Sequence, residues 1–177
     1  MYVIKEKLTF IAHPRTGSRA CAKLLMGCGA ERVSGHHGID PARIEGKVVA
    51  CVTRNMFDLM VSWWHNASFL EGTSNQHSGA QPFGDYLKDK VTGDHRWFKG
   101  LYHYGLNHSN HVIPYEGLQD GMESLLPKVG LVWPSRMAVI GASKRRPYQE
   151  YYTPELRHIV EDHWARDFER TGYKWED

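Results

Sequence analysis

The fold is decided by the stretch KLTFIAHPRTGSRACAKLL, residues 7–25. Its apolar, β-prone start at residues 8–11 predicts a strand, and the apolar spacing of residues 20–25 predicts a helix. Between them lies a short polar loop, residues 15–19. When a strand, a tight loop and a helix follow one another, the start of the helix presents unpaired backbone N–H groups and the positive end of its dipole at the loop. Both favour the binding of an anion there. The stretch therefore predicts an anion site at the start of the first helix.

The side chains of the loop also suit an anion. Gly17 lets the backbone approach a ligand closely and take a positive φ without steric cost. Ser18 or Thr16 is expected to cap the helix and to offer a hydroxyl to the anion. Arg15 and Arg19 add guanidinium forks that match phosphate or sulfate oxygens. An ordinary strand–turn–helix with a capping serine and two surface arginines has the same features, so the loop alone leaves both interpretations open.

Composition and length indicate an ordinary globular chain. The 177 residues are enough for one domain with its own core, and a formal net charge of +2 gives no case for nucleic-acid or membrane partners. The three cysteines form no CxxC pair. No leader-like sequence opens the chain, and no apolar run is long enough to span a membrane. We expect a single soluble, cytoplasmic domain over residues 1–177 with reduced thiols.

Strand and helix patterns alternate along the rest of the chain. Residues 47–53, KVVACVT, form the clearest strand, a continuous apolar run typical of a parallel sheet buried on both faces, and an amphipathic helix follows. The alternation predicts βαβ units and a three-layer α/β domain with a central, mostly parallel sheet. Other patterns predict a strand at 32–34, a helix at 83–91, a strand at 111–115, a helix at 118–129 and a last helix from Pro154 to about residue 170.

A second candidate anion site follows the strand at residues 47–53. Arg54 stands where this strand ends, and Ser62 lies about two helical turns along the next helix. In open α/β sheets, ligands collect beyond the carboxyl ends of the strands. An arginine and a serine so placed can hold one phosphate together. The alternative is a surface arginine and a buried helix serine.

Together these motifs resemble those of the sulfotransferases that use 3′-phosphoadenosine 5′-phosphosulfate (PAPS). The phosphosulfate-binding loop of that family, strand–x-x-P-[KR]-[ST]-G-[ST]–helix, is matched by HPRTGS at residues 13–18. Its 3′-phosphate motif, R-N-P-x-D-x-x-x-S-[WY], is matched at residues 54–63, with Met56 in place of the proline. Similar segments follow at 113–118, 143–146 and 151–156, so the resemblance covers about residues 7–65 and 111–173.

The resemblance implies a P-loop NTPase-like sulfotransferase fold and an enzyme that moves a sulfuryl group from PAPS to a hydroxyl or amine. The product nucleotide would be adenosine 3′,5′-bisphosphate (PAP), the acceptor a small molecule or carbohydrate, and no metal is expected. The less regular segment at about residues 67–110 is expected to form the acceptor side.

Roles for individual residues also follow from the resemblance. It assigns the 5′-phosphosulfate to the loop residues Arg15, Thr16, Gly17, Ser18 and Arg19. Arg54 and Ser62 would hold the 3′-phosphate, and Arg145 and Arg146 would close over the nucleotide. Arg15 replaces the lysine of many members, so it supplies charge to the departing group but cannot donate a proton.

The reaction also needs a base that takes the proton of the acceptor hydroxyl, and histidine is the usual choice near neutral pH. Family members often place a histidine just after the second strand, where this chain has His36 and His37, and we favour His37. The alternative is two turn histidines at the surface. Glu116 is a secondary candidate, and its alternative role is to cap the following helix.

Two other classes of protein remain open. A nucleotide kinase-like, NTP-using enzyme would share the fold, but the loop lacks the GxxxxGK[ST] pattern and no predicted strand ends in an aspartate suited to magnesium. A catalytically degenerate nucleotide-binding module stays open, because the acceptor-binding portion is reduced, Met56 replaces the family's proline and Arg15 the usual lysine. The eleven histidines show no HExxH or comparable metal-ligand spacing.

Overall fold

A computed structural model describes residues 1–33, 44–67, 81–92, 105–133, 136–140 and 145–176. Within these residues one mixed sheet is formed by β1 (Tyr2–Ile4), β2 (Leu8–Ile11), β3 (Glu31–Arg32), β4 (Val48–Thr53) and β5 (His111–Pro114). The strand order is β3-β1-β2-β4-β5. The helices are α1 (Ser18–Gly27), α2 (Met56–Ala67), α3 (Phe83–Thr92), α4 (Leu118–Lys128), α5 (Pro154–His163) and α6 (Ala165–Thr171), with a further helical turn at residues 105–108. The predicted α/β class is confirmed.

The sheet is parallel on one side and antiparallel on the other. β4 pairs in parallel with both β2 and β5, whereas β1 is antiparallel to β2 and to β3. A tight turn joins β1 to β2, in which the Lys7 amide donates to the Ile4 carbonyl at 3.0 Å and Glu6 takes a φ of 59°. A connection this short can join only antiparallel strands. The prediction of a mostly parallel sheet is therefore right for β2, β4 and β5 and wrong for β1 and β3.

The chain forms two compact units, the first built from Met1–Arg54 and Gly100–Ala142 and the second from Asn55–Lys99 and Ser143–Asp177. In the first unit, α1 and α4 bury their apolar faces against the sheet. The residues of this core include Leu8, Phe10, Cys21, Leu25, Ala50, Val52, Ile113, Met122, Leu125 and Leu126. Gly121 allows the close approach of α4 to β5, since a Cβ there would lie 2.3 Å from Ile113 Cγ2.

The second unit is organised around the ring of Phe57 in α2. This ring contacts four other aromatic side chains, and the shortest centroid distance is 4.8 Å, to Trp175. The others are Tyr148, Tyr152 and Phe168. Such edge-to-face and tilted pairs add to the stability that burial of the rings already gives. The second unit therefore has an aromatic core, and Trp175 brings the C-terminal segment into it.

Most predicted elements appear close to their expected bounds. The predictions for 47–53, 83–91, 111–115 and 118–129 are confirmed as β4, α3, β5 and α4. The predicted strand at 32–34 lies one residue earlier and is shorter. The last helix begins at Pro154 as expected, and Thr153 caps it by accepting from the Leu156 amide at 3.3 Å. The prediction of one continuous last helix is wrong, because the buried Trp164 leaves helical geometry (φ −111°, ψ 26°) and separates α5 from α6.

Candidate functional site

Three neighbouring parallel strands end at the same edge of the sheet in the first unit. The registers that pair Ile11 with Cys51 and Thr53 with Pro114 bring the ends of β2, β4 and β5 together. The next residues along the chain are the polar loop after β2, Arg54 after β4 and Tyr115 after β5. This is the edge at which open α/β sheets bind ligands.

The loop after β2 is a tight turn with two left-handed residues, Arg15 at φ 64° and Gly17 at φ 73°. The hydroxyl of the buried Thr16 donates to the His13 carbonyl at 2.8 Å. Gly17 is the N-cap of α1, and no side chain caps the helix. The prediction that Ser18 or Thr16 caps it is therefore wrong, because the Thr16 hydroxyl is turned back to the loop and Ser18 is already the first helical residue.

Backbone N–H groups at the start of α1 suit an anion. The Ala20 and Cys21 amides donate to the Gly17 carbonyl at 2.9 and 3.1 Å. The amides of Gly17, Ser18 and Arg19 precede this first helical bond, and such groups have no acceptor within their own helix. Together with the helix dipole they give the loop its preference for negative charge.

Arg54 lies against this loop. Its side chain is buried, with the residue 7% exposed, and Nη1 donates to the Arg15 carbonyl at 2.5 Å. The guanidinium carbon lies 4.1 Å from the centroid of the Tyr115 ring, within the range of a cation–π contact. The structure thus brings together two features that the sequence predicted separately, the polar loop and the arginine that ends β4.

Tyr115 and Leu118 also belong to the site, although the family-like segment 113–118 that contains them predicted no role for either. A Cβ on Gly17 would lie 2.5 Å from Leu118 Cδ2 and 3.5 Å from Tyr115 Cε2, so both side chains pack onto the loop. Tyr115 follows the end of β5 as Arg54 follows the end of β4, and this shared position is the signal that could have identified it.

Glu116, the secondary candidate for the base, is exposed in a 3₁₀ turn, Tyr115–Gly117. Gly117, and not Glu116, occupies the N-cap position of α4. The favoured candidates His36 and His37 lie outside the described residues.

The remaining predicted ligands belong to the second unit. Ser62 is buried within α2. Arg145 forms an ion pair with Asp58. Arg146 pairs with Glu150 at 3.2 Å, and its guanidinium carbon lies 5.1 Å from the centroid of the Tyr151 ring. Their roles in nucleotide binding stay predictions.

Burial keeps two of the reactive side chains protonated at neutral pH. It raises the pKa of the Cys21 thiol to about 12, so this cysteine of α1 is not a thiolate nucleophile. Burial raises the pKa of the Tyr152 hydroxyl well above its usual range, with the Asp58 carboxylate and Tyr148 acting in the same direction. Neither the Cys21 thiol nor the Tyr152 hydroxyl therefore supplies an anionic nucleophile or base at neutral pH.

Among the described residues, no group of three or more His, Cys, Asp or Glu side chains is arranged to hold a metal ion. The helices of this part of the chain are also too short or too polar to cross a membrane. No protein-family model matches the chain, and the search of curated proteins found no match. The resemblance to PAPS-dependent sulfotransferases therefore rests on the motifs themselves.

Proposed function

We propose that this protein is a PAPS-dependent sulfotransferase that moves a sulfuryl group to a hydroxyl or amine of a small-molecule or carbohydrate acceptor. The observation that supports this most directly is the 2.5 Å hydrogen bond from Arg54 Nη1 to the Arg15 carbonyl. It joins the arginine of one predicted anion motif to the loop of the other. A cation, a helix start and a left-handed loop at the ends of parallel strands suit a strongly anionic nucleotide.

The residues of the site suit sulfuryl transfer because that reaction needs positioning and cationic stabilisation more than covalent help. When bound, PAPS supplies the activated sulfuryl group, and negative charge grows on the phosphate oxygen that leaves. The amides at the start of α1 and the guanidinium of Arg15 stabilise that charge. The acceptor oxygen forms the new bond to sulfur and gives its proton to a base, for which His37, His36 and Glu116 are the candidates.

The two rival classes have less support. The loop has no lysine in the position that a P-loop NTPase needs for the γ-phosphate, and β2, β4 and β5 end at Ile11, Thr53 and Pro114 rather than at a magnesium-binding aspartate. A degenerate nucleotide-binding module would have the same nucleotide site without transfer. Ser62, Arg145 and Arg146 remain ligands proposed from the sequence resemblance.

Calorimetric titration with PAP and with ATP tests the proposal. We expect PAP to bind more tightly than ATP. Arg54→Ala should weaken PAP binding by about 10- to 100-fold, the loss typical of a hydrogen bond to a charged group. The matched control is Arg32→Ala, which removes an exposed arginine of β3 in the same unit and should leave the affinity unchanged.

The outcomes separate the three classes. Tighter binding of ATP than of PAP would contradict the proposal and favour a kinase-like enzyme. PAP binding without transfer of labelled sulfuryl groups to any acceptor of a broad panel would favour the degenerate module. His37→Ala should retain PAP affinity and lose transfer, and normal turnover of that variant would remove His37 from the mechanism.

A further inference from the structure

The carbonyl of Arg15 has to be held in place, because Arg15 adopts a left-handed backbone with a φ of 64°. Residues other than glycine, asparagine and aspartate rarely take this conformation, since the Cβ crowds the backbone. Such a residue persists where surrounding contacts fix it. The turn is held from within by the bond from Thr16 Oγ1 to the His13 carbonyl, and from outside by Arg54.

Arg54 can hold the Arg15 carbonyl only if its guanidinium stays in one orientation. The bond from Nη1 to this carbonyl is directional, and an arginine side chain has many rotamers of similar energy. The bond engages one of the five N–H donors of the guanidinium. A neighbour that fixes the plane of the group would therefore set both the loop and the direction in which the other donors point.

Tyr115 has the position of such a neighbour. The Arg54 guanidinium lies over its ring, with 4.1 Å between Cζ and the ring centroid. The same ring packs on the loop, where a Cβ on Gly17 would lie 3.5 Å from Cε2. A ring that covers the face of an arginine leaves the donor edges in the plane of the guanidinium, and that is how arginine combines stacking with hydrogen bonding.

We propose that Tyr115 is a positioning residue whose ring face, and not its hydroxyl, holds Arg54 in the plane from which Nη1 reaches the Arg15 carbonyl. The effect of Tyr115 on nucleotide affinity rests on the proposed function. The coupling between Tyr115 and Arg54 does not, because it is a property of the protein without ligand.

PAP titrations of four variants test the effect on affinity. Tyr115→Phe keeps the ring and should stay within about twofold of the wild type. Tyr115→Leu should weaken binding about tenfold, a loss between those of exposed and of desolvated cation–π contacts. In the Arg54→Ala background, Tyr115→Leu should cause no further loss, because Tyr115 acts through Arg54. An equal loss in both backgrounds, or a Tyr115→Phe variant as weak as Tyr115→Leu, would overturn the proposal.

Proton NMR of the ligand-free protein tests the coupling itself. The ring current of Tyr115 should shift the Arg54 side-chain protons upfield, with the resonances assigned by comparison with Arg54→Lys. Tyr115→Phe should keep the shift and Tyr115→Leu should abolish it. If the wild type shows the shift but does not bind PAP, the proposed function fails and the positioning role stands. If the shift is absent from the wild type, the positioning role fails.

Discussion

Asp58 and Arg145 form an ion pair in which Arg145 Nη2 donates to Asp58 Oδ1. Their side chains are only 18% and 10% exposed, so water and salt screen the pair weakly. The next residue, Arg146, pairs with Glu150 through side chains that are 66% and 48% exposed. Two adjacent arginines that the sequence resemblance treats alike therefore have different environments, since the Arg145 side chain is largely covered and the Arg146 side chain lies at the surface.

The two arginines should differ in their effect on stability. Arg145→Ala should lower the free energy of unfolding by about 3 kcal/mol, because it leaves the largely buried Asp58 carboxylate without this cation. Arg146→Ala is the matched control and should lower it by less than about 1 kcal/mol, as is usual for a surface pair. Urea denaturation of both variants measures the difference. Equal losses would contradict the burial of the Asp58–Arg145 pair in solution.

The elements around the candidate site could be predicted because local patterns specify them. The run VVACVT of β4 has no helical periodicity, and the loop before α1 carries glycine and proline where the chain turns. The contact between Arg54 and the loop also follows from sequence once both strands are taken as parallel neighbours, since their carboxyl ends then meet.

Other features could not be predicted, because they depend on contacts between distant residues or on turns without a signal. The turn between β1 and β2 places Glu6 at a positive φ, a position where glycine or asparagine would have marked it. Trp164 interrupts the last helix in a sequence whose apolar spacing continues through it. The cation–π contact between Arg54 and Tyr115 joins two segments far apart in the chain, and no local pattern encodes it.

Asn55 should connect the start of α2 to the C-terminal segment. Its amide oxygen accepts from the Phe57 amide at 3.1 Å and so caps α2, while Nδ2 donates to the Lys174 carbonyl at 2.7 Å. Asn55→Asp keeps the acceptor and removes the donor. We expect it to cost about 2 kcal/mol and to speed amide hydrogen exchange in residues 173–175 while the first turn of α2 stays protected.

Asn55→Ala is the control for that experiment, because it removes the cap and the donor together. It should lose about 1 kcal/mol more than Asn55→Asp, the usual value of a helix N-cap, and should speed exchange at both places. Unchanged protection of residues 173–175 in Asn55→Asp would show that the contacts of Trp175 hold the segment without the Asn55 donor, namely its ring pairs, its cation–π contact with Arg157 and the bond from the Tyr148 hydroxyl to its carbonyl.

His111, at the start of β5, should make stability depend on pH. Partial burial, and then the positive charge of Lys128, lower the pKa of its imidazole below the ordinary value of about 6.5. The unfolded chain therefore takes up this proton at a higher pH than the folded protein does. The contribution of His111 is complete above about pH 6.5 and is lost as the pH falls from there through the lower, folded pKa.

Urea denaturation between about pH 5 and 7.5 measures this effect as the difference between the wild type and His111→Gln. The free energy of unfolding of the wild type relative to His111→Gln should be constant near pH 7.5. It should decrease as the pH falls, because only the wild type loses stability when His111 is protonated. Lys128→Ala removes the second cause of the shift, so it should narrow the pH window over which stability is lost. A difference that is flat across the range would contradict the shifted pKa.

A comparison of Gly17 with Gly29 separates two reasons for a glycine in the loop, the positive φ and the close contact with Leu118. Both glycines are left-handed, with φ values of 73° and 84°. A Cβ at Gly17 would lie 2.5 Å from Leu118 Cδ2, whereas a Cβ at Gly29 would meet nothing within 4 Å. Gly29→Ala should therefore cost only the backbone strain, about 1 kcal/mol. Gly17→Ala should cost about 1–3 kcal/mol more, because Leu118 has to move.

Denaturation of both variants gives the two stabilities, and calorimetry gives their PAP affinities. Only Gly17→Ala should weaken PAP binding, since it alone displaces the loop whose amides and Arg15 would bind the phosphosulfate. If Gly17→Ala lost stability but bound PAP normally, the loop would be a structural turn and the anion would have to bind elsewhere. If both variants lost equal stability, Leu118 would move away from the added Cβ with no further loss of stability. The positive φ alone would then explain the glycine at position 17.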